Sequence, residues 1–177
     1  MAVLRICRWP DEVLTRKGVE VGEVDDGIRK LIDDMAETMY AGKGIGLAAP
    51  QVGKSLRIAV IDVPGDEEFQ PTGLVALVNP RIVAQDGSVT MDEGCLSFPG
   101  IEVNVKRAFT VTVEYTDRDG RPQKIEVSDL AAICVQHELD HLDGVTMIDR
   151  VGPIRRKLAL RDYQKSCRGR AADQGNS

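Results

Sequence analysis

Apolar positions fall into two regimes along this chain, helical spacing towards the two ends and β-branched runs between them. After Asp25 or Asp26, a candidate N-cap, Ile28, Leu31, Ile32, Met35 and Met39 recur at i, i+3, i+4, i+7 and i+11, and Gly42 supplies a stop. Residues 56–63, 74–80, 101–105 and 109–115 read as strands, the last two by alternation. The Asp and Gly residues of 116–123 predict a hairpin leading into a further strand, "KIEV". Ser128 can cap a helix over 129–143 that Gly144 closes, and Pro153 opens another over 153–166. The first twenty residues mix short apolar stretches with turn signals and read as an irregular arm packed on the domain. The predicted fold class is α+β: antiparallel β-sheets packed around a central helix, with a C-terminal helix. Residues 1–166 are expected to form a single catalytic domain. Residues 167–177, which lack apolar periodicity, are expected to be a disordered tail.

Composition narrows the function classes. The 177 residues are 42% hydrophobic and 29% charged, enough for one buried core and too short for two comfortable domains. A net charge of −5 argues against sequence-specific nucleic-acid binding, which needs a clustered excess of Lys and Arg. No apolar run is long enough to span a membrane and no secretory signal opens the chain, so a cytoplasmic location is expected. The four cysteines, Cys7, Cys95, Cys134 and Cys167, lie far apart without a CxxC pair, as free thiols in a reducing compartment would.

Both histidines of the chain fall in "VQHELDHLDG", residues 135–144. His137 and His141 at i and i+4 project from one helix face and can close on one metal ion. Glu138, about 100° around the helix, cannot join them but can act as general base on a water at the ion. This is the HExxH arrangement of two ligands and a base. A catalytic site needs a third protein ligand, and the position where some zinc peptidases place another histidine is Met147. Cys134 precedes His141 by seven residues, a rise of about 10.5 Å, too far to share an ion with both histidines. It fits equally a wall of an apolar pocket, with Leu130 and Ile133, or plain core packing. Asp149 and Asp162 remain open as later acidic ligands. Cys95, in the polar glycine-bearing stretch "DEGCLSFPG", is the other candidate.

"GIGLAAPQ" (44–51), "EGCLS" (93–97) and "QHELDH" (136–141), in this order and approximate spacing, resemble the three signature motifs of peptide deformylase. The resemblance runs from the first helix to about Arg150. It implies one divalent metal ion held by Cys95, His137 and His141, usually Fe²⁺, with Zn²⁺, Ni²⁺ or Co²⁺ able to occupy the site. It implies Glu138 as acid and base, and Gln51 and the Leu96 N–H as oxyanion donors. The reaction it implies removes the formyl group from N-formylmethionyl nascent peptides and releases formate. Transient association with the ribosome would follow from such a substrate.

The residues themselves are consistent with that chemistry. Gly44 and Gly46 allow close backbone approach, and the backbone around Ile45 can pair with an extended peptide whatever its sequence. An apolar pocket for the methionine side chain is expected from Ile45, Leu130, Ile133 and Cys134. Glu102 stands where several relatives carry a basic residue, Arg107 is a candidate structural residue or a support behind the ligands, and Asp140 and Asp143 could orient a histidine but read more readily as solvated helix-face charges. The competing readings are a zinc peptidase with a His or Glu third ligand, and a closed structural metal site.

Overall fold

The computed structural model describes residues 2–174. Helix α1 (Asp26–Ala41) begins where predicted, with the Asp25 side chain accepting a hydrogen bond from the Ile28 N–H at 2.8 Å. Strand β1 (Gly46–Ala48) follows, then a 3₁₀ turn (Ala49–Val52) and strands β2 (Ile58–Val63), β3 (Gly73–Asp86), β4 (Val89–Gly94), β5 (Glu102–Arg107), β6 (Thr110–Thr116) and β7 (Pro122–Ser128). Helix α2 (Asp129–Leu142), a 3₁₀ turn (Met147–Arg150) and helix α3 (Pro153–Gln174) complete the order. The strands form a five-stranded sheet, β1-β2-β3-β6-β7, and a two-stranded sheet, β4-β5, and all pairs are antiparallel.

The run "IAVIDV" lacks alternation because β2 is buried on both faces. Ile58 and Val60 pack with Ile32, Met35 and Met39 of α1, whereas Ala59, Ile61 and Val63 pack with Ala132, Val135, Leu139 and Leu142 of α2. A strand covered on both sides gains nothing from polar residues on either. Helix α2 is buried almost continuously from Ala132 to Leu142, as expected of a helix enclosed by other elements rather than lying on the surface. A third cluster, including Phe98, Val103, Val105 and Tyr163, joins the small sheet to α3.

Several elements differ from the sequence-based expectation. Gly46–Ala48, predicted as irregular, form an edge strand because Ala59–Ile61 lie opposite and supply the partners. Strand β4 escapes prediction for the same reason: "VTMDEG" has no strand signature of its own and is held by its ladder with β5. Strand β3 continues through Pro80 to Asp86, with its register shifting between Val78 and Arg81, so the proline falls at the irregularity. Ser128 occupies the N-cap of α2 but makes no capping bond; its hydroxyl pairs with that of Thr110 at 2.8 Å. Helix α3 runs to Gln174, eight residues past its predicted end and into the stretch expected to be disordered. Extending an existing helix costs far less than nucleating one, and Arg and Ala propagate it well. The rest of that tail, residues 175–177, lies outside the described residues.

Candidate metal centre

Helix α2 is bolted in place by Gln136, whose side chain accepts from the Ala108 N–H at 3.0 Å and donates to the Ala108 carbonyl at 2.9 Å. One residue on, His137 points towards the small sheet, and its Nδ1 lies 2.8 Å from Glu93 Oε2 of β4. That contact favours the proton on Nδ1, so that an ion would take the lone pair of Nε2. The rings of His137 and His141 are 5.0 Å apart, and His141 Nε2 is 3.3 Å from Cys95 Sγ. The ligand atoms of Cys95, His137 and His141 all lie within 4.8 Å of one another.

Cys95 reaches this point because β4 ends at Gly94 and the chain turns, with the Phe98 N–H donating to the Cys95 carbonyl at 2.9 Å. The three donors fit a divalent ion. One thiol and two imidazoles make a borderline-soft set suited to Fe²⁺, Co²⁺, Ni²⁺ or Zn²⁺. Burial would hold His137 down, but the Cys95 sulfur and Glu93 outweigh it and raise its affinity for a proton well above normal, so positive charge is favoured there. Burial, with the positive charges of His137 and Arg107, lowers that of His141. Glu138, beside them, has an oxygen, Oε2, that is buried without a hydrogen-bond partner. Burial raises its carboxyl to about 7, the range in which a proton is both taken and given up near neutrality.

Behind the histidines is an ionic network of which the sequence offered Arg107 as a candidate support but neither Glu93 nor Arg150. Arg107 holds Glu93 in a fork, Nε to Oε1 at 2.7 Å and Nη2 to Oε2 at 2.9 Å, and its Nη1 donates to Asp140 Oδ2 at 2.6 Å. Arg150 grips the same Asp140 through Nε, at 2.9 Å, and Nη2. Asp140 is therefore not the solvated charge expected. It is 7% exposed and neutralised by two arginines, because its helix face meets the small sheet rather than water. Asp143 is half exposed and pairs with Arg57 at 2.6 Å. Glu93 had one legible signal, an acidic residue two positions before the candidate cysteine, but its burial came only with β4. Burial alone would raise its carboxyl, yet the Arg107 and His137 hydrogen bonds and charges hold it at about 2.

A cleft of about 710 Å³ opens in front of Cys95 and Glu138. Its lining brings together Gly44, Ile45 and Gly46, Leu130, Ile133 and Cys134, and Gln51 and Leu96, while His141, 1% exposed, is not among the lining residues. Gln51 Oε1 accepts from the Ala48 N–H at 2.8 Å, which turns its amide nitrogen towards Cys95 Sγ, 3.5 Å away, and Ser97 Oγ, 3.2 Å away. Gly46 is glycine for steric reasons: a Cβ there would stand 2.5 Å from Glu138 Oε1 and 2.8 Å from Cys134 Sγ. Cys134 is not among the converging donors; burial raises its thiol and its sulfur faces the Ile45 carbonyl at 3.5 Å. Asp149 and Asp162 are also elsewhere, capping Thr146 and beside Arg161. Glu102, exposed, lines the rim of the cleft.

Residues 3–157 match the family model described as polypeptide deformylase. The chain belongs to the polypeptide deformylase family. It is 47% identical over 165 residues to the peptide deformylase of Syntrophobacter fumaroxidans, covering 93% of this chain and 96% of that protein. To the one from Thermodesulfovibrio yellowstonii it is 44% identical over 164 residues, covering 93% and 98%. Among solved structures it is similar to the Legionella pneumophila deformylase, with a TM-score of 0.88, 42% identity and coverage of 96% of this chain and 98% of that one. The Ehrlichia chaffeensis deformylase in complex with actinonin has the same TM-score of 0.88 at 40% identity, covering 94% and 98%. Peptide deformylases are metal-dependent hydrolases that remove the formyl group from nascent peptides. Among the described residues, no helix is long and apolar enough to cross a membrane.

Proposed function

We propose that this chain hydrolyses the N-terminal formamide of formylmethionyl peptides in the cytoplasm, with Cys95, His137 and His141 holding one divalent ion, Fe²⁺ in the cell and Zn²⁺, Ni²⁺ or Co²⁺ as substitutes. The observation that carries the reading is the convergence of those three donors beside a buried carboxyl, Glu138, at the floor of a cleft. When bound, the ion supplies a Lewis acid that polarises the formyl oxygen and makes water more acidic. The HExxH pattern then separates the roles: the two histidines bind and Glu138 moves the proton.

Glu138 accepts a proton from water as that water's oxygen bonds to the formyl carbon. Negative charge grows on the formyl oxygen, where the Gln51 amide and the Leu96 N–H donate to it. The C–N bond breaks, Glu138 returns its proton to the leaving amine, and formate departs from the free N-terminus. Gly44–Gly46, leading into the edge strand β1, and residues 91–94 of β4 both border the cleft and favour an extended peptide bound by its backbone. The methionine side chain enters between Ile45, Leu130, Ile133 and Cys134. The exposed Arg155, Arg156, Lys157, Arg161 and Lys165 of α3 support a transient electrostatic association with the ribosome.

The test is release of formate from formyl-Met-Ala-Ser by anaerobically prepared protein, before and after chelation and reloading. Turnover that is lost on chelation and restored by Fe²⁺ or Ni²⁺ is expected. Cleavage of an internal peptide bond in place of formate release would favour the peptidase reading, and metal binding without either would favour a structural site.

A further inference from the structure

His137 and His141 share helix α2, but the other residues assigned above to the ion and to the oxyanion, Cys95, Leu96 and Gln51, sit on two separate loops. Gln51 lies in the turn after β1, in the large sheet, and Cys95–Ser97 follow β4, in the small one. Among the described residues the two sheets share no strand. The N-terminal arm joins the loops instead. The Cys7 N–H donates to the Gln51 carbonyl at 2.7 Å, and the Trp9 N–H donates to the Ser97 carbonyl at 3.0 Å.

Trp9 is itself held from the far end of the chain. Its carbonyl accepts from the Tyr163 hydroxyl of α3 at 3.0 Å. Its ring stacks on Phe98 with centroids 6.2 Å apart and meets Tyr163 edge-on at 6.2 Å, while Phe98 and Tyr163 are 5.4 Å apart. Phe98 is fully buried and Tyr163 is 3% exposed, and the half-buried Trp9 packs against this pair, with Phe98 three residues from Cys95. The loops also meet directly, Gln51 Nε2 lying 3.5 Å from Cys95 Sγ and 3.2 Å from Ser97 Oγ, but both contacts run through the one Gln51 side chain, whereas the arm ties backbone to backbone.

We infer that Trp9 is a positioning residue for deformylation: anchored by Tyr163 and stacked on Phe98, it fixes the separation between Gln51 and the Cys95–Leu96 pair. The inference rests on the deformylase reading of the site. Its physical content is that the amide donor and the ion's sulfur ligand must keep one geometry while the formyl carbon becomes tetrahedral, and a drift of about 1 Å costs on the order of 100-fold in rate. Binding of an already extended peptide tolerates the same drift far better, so the loss falls on kcat.

Trp9 is the only tryptophan of the chain, so its emission reports on its own surroundings. The experiment compares Trp9→Ala, Trp9→Phe and Tyr163→Phe with the parent chain, loaded with Ni²⁺, for formate release from formyl-Met-Ala-Ser. In parallel, Zn²⁺, which does not quench by energy transfer, is titrated into the metal-free parent and Tyr163→Phe proteins while tryptophan emission is followed. Expected are a fall in kcat of about tenfold or more for Trp9→Ala with KM within about twofold, and substantial recovery in Trp9→Phe. Zinc should shift the emission of the parent protein, and the shift should shrink in Tyr163→Phe. A cooperatively melting Trp9→Ala with parental kcat, a loss confined to KM, or an emission unmoved by bound zinc overturns the inference. Should Trp9→Ala not fold, the kcat of Tyr163→Phe and the zinc titration decide. A parent chain that releases no formate yet shows the zinc-dependent shift sinks the functional reading and leaves the positioning of Trp9 standing.

Discussion

Glu93 Oε2 stands 2.8 Å from His137 Nδ1 and 2.9 Å from Arg107 Nη2, so one carboxylate oxygen ties the imidazole of α2 to the guanidinium of β5. The imidazole is thereby held in the tautomer that presents Nε2 to an ion. Glu93→Gln should weaken metal affinity about 10- to 100-fold, measured by competition with a chelator. Unchanged affinity would mean that helix packing alone orients His137.

The same carboxylate predicts the sign of an acid effect on stability. Its carboxyl is held at about 2 in the folded chain against an ordinary value of 4.5. Between those values the unfolded chain binds more protons, so stability rises with pH. The contribution, on the order of 3 kcal/mol, is fully present above 4.5 and is lost as pH falls through 2. Urea unfolding of the parent chain and Glu93→Gln should show a stability gap that narrows as the pH falls from 4.5 towards 2. A gap independent of pH over that window would contradict it.

Glu138→Gln keeps the shape and volume of the side chain and removes its ability to take a proton. Metal content should match the parent protein, and formate release should fall by about 10²- to 10⁴-fold. A near-parental rate would remove Glu138 from the proton path.

Gly46→Ala tests the close approach of β1 to α2. The new Cβ would lie 2.5 Å from Glu138 Oε1 and 2.8 Å from Cys134 Sγ, so both side chains must give way, Glu138 the further. A destabilisation of about 1–3 kcal/mol is expected by denaturant titration. The loss of activity should exceed the loss of bound metal, because Glu138 is displaced and the three ligands are not.

Metal identity should control lifetime. A thiol ligand beside Fe²⁺ exposes both to oxygen, so the iron form should lose activity in air faster than the Ni²⁺ form, with Cys95 oxidation found by mass spectrometry. Equal half-lives for the two forms would count against Cys95 as a ligand of a redox-active ion.

What the sequence determined by itself is local. The i, i+4 spacing of His137 and His141 places both rings on one face of any helix, and the Asp25 cap with its apolar stripe specifies α1, because both depend only on residues within a few turns. The burial of Glu93 and Asp140, the strands β1 and β4, and the meeting of Gln51 with Cys95 were decided by tertiary structure. Each depends on a partner distant in sequence: Arg107 for the two acids, Ala59–Ile61 and the β5 ladder for the strands, and the arm at Cys7 and Trp9 for the two loops. Asp140 shows the difference most directly: its position on the helix was legible, but whether that face met water or two arginines depended on where the small sheet docked.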